Sequence, residues 1–168
     1  IAEGRHGIGF MLTGVARDIE DSTLAGIMNR NAFGLAVDGF SFLDAAKNWV
    51  VGGWLGGTRI AGSIEDILRV QNSSIHYFQR PDATHVELDP AATSLSGWGG
   101  RINVAKQNGK LIILLQAGAL SPGFNPNDAG FQSGSSDVIN PAFVPGLNLT
   151  KPGKIFQQVL IGGGGFAN

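Results

Sequence analysis

The connections between the strand-like segments of this chain alternate in length: long, short, long, short, long, short. Period-two patterning and turn residues place strands near 7–17, 32–43, 48–61, 92–106, 110–120, 136–149 and 155–167. Long loops at 18–31, 62–91 and 121–135 alternate with tight turns at 44–47, 107–109 and 150–154. In an antiparallel meander every second connection emerges on the same side. One rim then carries short turns and the other elaborate loops, which is the asymmetry of a transmembrane outer-membrane β-barrel. The expected fold is all-β, an antiparallel meander forming part of such a barrel.

Composition agrees with that class. Of 168 residues only 15% are charged, against about a quarter in an ordinary soluble domain. A net charge of −1 offers no basic footprint for nucleic acid. The 26 glycines have no collagen-like period, and 43% apolar content argues against disorder. Cysteine is absent, so the chain has no disulfide framework and no thiolate chemistry. No run approaches the ~18 apolar residues of a membrane helix, but membrane strands need only about 9–11.

Strand faces can be assigned by parity. In the second strand Phe33, Leu35 and Val37 oppose Gly34, Ala36 and Asp38, while Phe40 and Phe42 fall on the Asp38 side. In the first, Ile8, Phe10 and Leu12 oppose Gly7 and Gly9. The fourth sets Trp98, Ile102 and Val104 against Arg101, Asn103 and Ala105. Asp38, Arg101 and Asn103 are therefore expected to face a barrel lumen, with Trp98 at the membrane interface. The alternative for Trp98 is a buried position in a soluble sandwich core. Asn108-Gly109 predicts a type I′ hairpin and Pro152-Gly153 a type II turn. Pro141 and Pro145 make the sixth strand the weakest of the set, because proline removes ladder donors.

The loops hold few groups that suggest chemistry. Ser63 to Ser74 predicts a short helix, with Ser63 and Asp66 as a cap and Ile64, Ile67 and Leu68 at helical spacing. His76, Tyr77, Arg80 and Asp82 form the one candidate contact surface, suited to a glycan or a protein partner. The competing expectation is that this segment packs the loop onto the rim. No metal-ligand spacing, cofactor fingerprint or acid–base constellation is present, and an enzyme is not expected. Asn125, Asn127, Asp128 and Gly130 lack calcium-loop spacing and predict a capped turn. The sequons at Asn72 and Asn148 are expected to be coincidental.

Several motifs occur together and in order: Tyr77-Phe78-Gln79-Arg80-Pro81-Asp82-Ala83, Asp89-Pro90 and Thr93-Ser94-Leu95-Ser96-Gly97. Ser121-Pro122-Gly123-Phe124 and Asn127-Asp128-Ala129-Gly130-Phe131 follow. Over residues 8–165 the chain resembles an uncharacterised bacterial outer-membrane β-barrel family, a domain of unknown function. Full-length members join an N-terminal carbohydrate-binding-like β-sandwich to the barrel. The resemblance implies a location in the bacterial outer membrane and a position within the barrel portion. It implies no catalytic or ligand residues.

The chain starts at Ile1 and stops just after Gly162–Gly165 and Phe166, and seven strands are an odd number where single-chain barrels are even. The expectation is a single segment, 1–168, of a larger barrel, porin-like and acting as pore, receptor or scaffold without chemistry of its own. Its expected partners are the lipid bilayer and the remaining strands of the same barrel or of other outer-membrane chains. The alternative is a soluble all-β module that binds an extracellular glycan through the 76–82 loop. A hydrolase domain ranks below both. No cofactor, metal or nucleic acid is expected.

Overall fold

The computed structural model describes residues 4–128 and 134–167. It is all-β apart from two short helices: β1 (His6–Ala16), α1 (Ser22–Ala25), β2 (Asn31–Phe42), β3 (Trp49–Ala61), α2 (Ile64–Gln71), β4 (Ser94–Lys106) and β5 (Leu111–Leu120), then β6 (Val138–Ile139), β7 (Ala142–Leu149), β8 (Val159–Gly162) and β9 (Gly165–Phe166). One antiparallel sheet runs β1-β2-β3-β4-β5-β7-β8, with β6 on the end of β5 and β9 on β7. The sheet is open. Among the described residues β1 is unpaired on its outer side, and β8 and β9 form the opposite edge.

The first five strands begin and end within two residues of their expected positions, because each alternates cleanly or ends at a turn. The last two are broken. Pro141 has no N–H to offer a ladder, and β6 and β7 stop on either side of Asn140-Pro141. Gly163-Gly164 divides the final strand into β8 and β9, and 155–158 stays outside the sheet. The sixth expected strand, 136–149, and the seventh, 155–167, are each corrected to two pieces.

Two turn types also differ from expectation. Gly109 alone takes φ +90°, and Asn108 does not accompany it. The first residues paired across that hairpin are Lys106 and Ile113, too far apart for a two-residue turn. The Lys106 ammonium caps the loop instead, donating to the carbonyls of Asn108 at 2.6 Å and Leu111 at 3.1 Å. Gly153 is not at positive φ, so Pro152-Gly153 is not a type II turn.

The expected helix forms as α2. Ser63 Oγ accepts from the Asp66 N–H at 3.1 Å, as the cap required. Its inner face is Asp66, Ile67, Val70 and Gln71, whereas Ile64 points to solvent. α1 was not expected. Asp21 caps it, accepting from the N–H groups of Thr23 and Leu24, and the Leu24 and Thr23 amides hold that carboxyl below the usual carboxylate range.

The core lies at the loop end of the sheet rather than along it. Ile60, Ile67 and Val70 are buried together, with Ala32, Ala92 and Leu95 packed around them. Ile67 is fully enclosed. Replacing Ile67 with alanine is expected to cost about 2–5 kcal/mol, whereas Ile64→Ala stays within about 0.5 kcal/mol. Urea unfolding followed by tryptophan fluorescence measures both. Equal midpoints for the two variants would show that the core lies elsewhere.

Candidate functional site

Register divides the sheet into two unlike faces. Gly9, Asp38, Trp54, Arg101 and Gly118 form one row across five strands. Gly7, Phe40, Gly52, Asn103, Gln116 and Ala142 form the next row on the same side. Asp38, Arg101 and Asn103 therefore share one face, built largely on glycine and alanine. Phe40 and Phe42 lie on it toward the turn end, with ring centroids 5.8 Å apart.

The opposite face carries the large apolar side chains. Leu12, Leu35, Gly57 and Trp98 make one row, and Phe10, Val37, Leu55 and Gly100 the next. These side chains are in the open: Phe10 is 85% exposed, Leu12 61%, Leu55 57% and Trp98 53%. The apolar band runs obliquely to the strands. Its far members, Leu111, Leu147 and Ile161, form a row displaced toward the turn end. Polar groups border it at both rims. Arg59 donates to Ser94 and Ser96 at the loop rim, and His6 and Ser41 are hydrogen-bonded at the turn rim. Trp98 stands one row inside the Arg59–Ser96 pair.

The three long loops are knitted into one cap. Ser63 Oγ donates to the Ala25 carbonyl at 2.8 Å, and Arg69 donates to the Ile27 carbonyl at 2.8 Å. Arg17 pairs with Asp128 at 2.7 Å, and Asn29 donates to the same carboxylate. The Ser136 N–H donates to the Ile75 carbonyl at 2.8 Å. The Asn127 N–H donates to Asn125 Oδ1 at 3.2 Å, the expected capped turn, although Gly130 lies outside the described residues.

The segment 121–128 folds inward over the small-residue face. The Asn125 N–H donates to Thr58 Oγ1 at 2.9 Å, and the Phe124 and Trp54 rings lie 6.3 Å apart. This approach requires glycine at two positions. A Cβ at Gly97 would strike the backbone of Gly123 and Phe124, and a Cβ at Gly123 would strike the Ser96 carbonyl. Phe124 and Trp54 are the functional candidates that strand patterning alone misses. The clustered glycines at 97, 99 and 123 were the available signal for close backbone approach.

The 76–82 candidates lie in different environments. His76 is only 2% exposed, and its Nδ1–H donates to the Pro122 carbonyl at 2.8 Å. It is withdrawn from the surface and serves as a tie between two loops, a correction to its expected contact role. Tyr77 is half exposed at φ 53°, and Asp82 is exposed. Arg80 is committed to Asp137, whose carboxylate also accepts from His85 at 2.9 Å. His76 and Arg80 thus tie the segment to Pro122 and Asp137, while Tyr77 and Asp82 stay at the surface.

No protein-family model, curated protein or solved structure matches the chain. Among the described residues no group of three or more His, Asp or Glu side chains is placed to hold a metal ion. Among the same residues no helix is long and apolar enough to cross a membrane.

Burial lowers the His76 pKa, outweighing its hydrogen bond to Pro122, and Nε2 is enclosed without a partner. The unfolded ring takes a proton near pH 6.5, while the folded ring resists it until lower pH. Stability from the neutral ring is therefore fully present above about pH 6.5 and falls as acid is added below it. Limited proteolysis of the 62–91 loop is expected to speed up between pH 7.5 and pH 5. His76→Gln should flatten that dependence and His85→Gln should not; the reverse pattern would assign the effect to the Asp137 cluster.

Proposed function

We propose that the chain is a segment of a transmembrane β-barrel in a bacterial outer membrane, a membrane-embedded scaffold whose loop-side mouth is narrowed by its own loops. The observation that carries this reading is the continuous exposed apolar face of an antiparallel meander. Water is a poor solvent for such a face, because each large side chain left wet forgoes about 1.5–3 kcal/mol of transfer free energy. Monomeric soluble proteins rarely leave apolar patches beyond a few hundred Å² uncovered. Lipid covers such a face without further protein, and antiparallel strands satisfy their own backbone groups within it.

Three further observations support the reading. Glycine and alanine concentrate on the Asp38–Arg101–Asn103 side, where curvature toward a lumen brings Cβ atoms together. The oblique apolar band is what tilted strands produce when a bilayer cuts across them. Short turns lie at one rim and a knitted loop cap at the other, the asymmetry of such barrels, whose short turns are periplasmic and long loops external. In this reading Asp38, Arg101 and Asn103 face the lumen, Trp98 sits near the outer interface, and further strands complete the wall beyond β1 and β8. The motif resemblance to an uncharacterised outer-membrane barrel family points the same way. The residues carry structure, transport or reception rather than catalysis.

Arginine on the apolar face should block insertion, while a charge on the other face should not. Leu55→Arg is expected to cost about 2–4 kcal/mol of membrane stability, and Gln116→Lys close to none. Flotation with liposomes after dilution from detergent reads both. A wild-type chain that stays monodisperse in plain buffer, without lipid or detergent, would overturn the proposal.

A further inference from the structure

A cleft of about 430 Å³ opens on the small-residue face, between β1–β3 and the inward-folded 121–128 segment. Small-molecule sites usually measure roughly 300–1,000 Å³. Gly34, Ala36 and Gly56 line it with small groups, and Met11, Trp54 and Phe124 give it apolar walls.

One charged group enters this cleft without a counter-ion. Asp38 stands across from Trp54 in the strand register, but its carboxylate leans over Gly9 of β1 while the tip of the Trp54 indole reaches over Gly99 of β4, so the two diverge with the cleft open between them. Among the described residues Asp38 has no hydrogen bond or ion pair. The other carboxylate of the cleft, Asp128, is already paired with Arg17 and accepts a hydrogen bond from Asn29. Arg101 belongs to the same row but leans against Gly118, on the side of Trp54 away from Asp38.

We propose that this cleft binds a compact organic cation, with its ammonium at the Asp38 carboxylate and its apolar body against Trp54 and Phe124. A carboxylate beside low-dielectric walls favours an opposite charge, and the Trp54 and Phe124 walls favour an apolar body attached to it. An anion meets repulsion from Asp38. A sugar finds few polar partners here, because Thr58 Oγ1 is already engaged by the Asn125 N–H. The inference rests on the fold and not on the membrane reading, since charge selectivity is measured whether or not the chain requires lipid.

The test is calorimetric titration of the full chain in a non-ionic detergent with benzyltrimethylammonium and with phenylacetate, which share an aromatic body and differ in charge. The cation is expected to bind, and phenylacetate at least about tenfold more weakly. Asp38→Asn should weaken the cation by about tenfold with an unchanged circular dichroism spectrum. Equal affinity for the two probes, no binding of the cation, or unaltered cation binding in folded Asp38→Asn would each overturn the proposal. The comparison of the two probes on the wild-type chain needs no variant to fold.

Discussion

The sheet has one face that water cannot satisfy, and most other features of the molecule follow from that constraint. Leu12, Leu35, Leu55 and Trp98 project from the same side as Phe10 and Val37, with no layer of protein above them. Among the described residues nothing covers them. A soluble sandwich would solve the same problem with a second sheet packed about 10 Å away. Here the second side of the sheet is occupied by small residues, a few charges and an inward-folded loop, so it offers no equivalent core.

With its sheet unable to supply a core, the chain builds one among its loops. Ile67 and Val70 of α2 close over Ile60 at the end of β3, and His76, Arg17 and Arg69 tie the surrounding segments together. Most of these ties join a side chain to a backbone carbonyl in another loop. They are directional and fix register between loops, which apolar contact alone does not. Burying a neutral imidazole, its Nε2 without a partner among the described residues, accompanies one such tie, and that burial lowers the ring's pKa.

Much of the strand framework was legible in the sequence because period-two patterning is a local property. Phe33-Gly34-Leu35-Ala36-Val37-Asp38 fixes its own two faces, and the same parity separates Trp98 from Arg101. Breaks caused by Pro141 and Gly163-Gly164 were harder to place, since each residue is compatible with a strand edge as well as with an interruption. The burial of His76 was not legible. It depends on Pro122, distant along the chain, and nothing in Ser74-Ile75-His76-Tyr77 announces that partner. Phe124 was missed for the same reason, because the ring it meets, Trp54, belongs to another hairpin.

The long connection between β3 and β4 has a kinetic consequence. Pairing these two central strands requires the chain to close the whole of 62–93, and loop-closure entropy opposes that step. Helix α2 forms from contacts within a few residues, and the N–H of Gly62 meets the Thr93 carbonyl at 3.1 Å at the base of the loop. Gln71 adds a clasp, its side chain exchanging hydrogen bonds with both backbone groups of Asp89 at 2.9 Å. The helix is local, whereas the Gln71–Asp89 clasp and the Gly62–Thr93 bond close progressively larger parts of the loop down to the Ala61–Ser94 pair. The segment that looks like an insertion between two strands thus carries its own helix, clasp and base tie, which hold its two ends together in the folded chain.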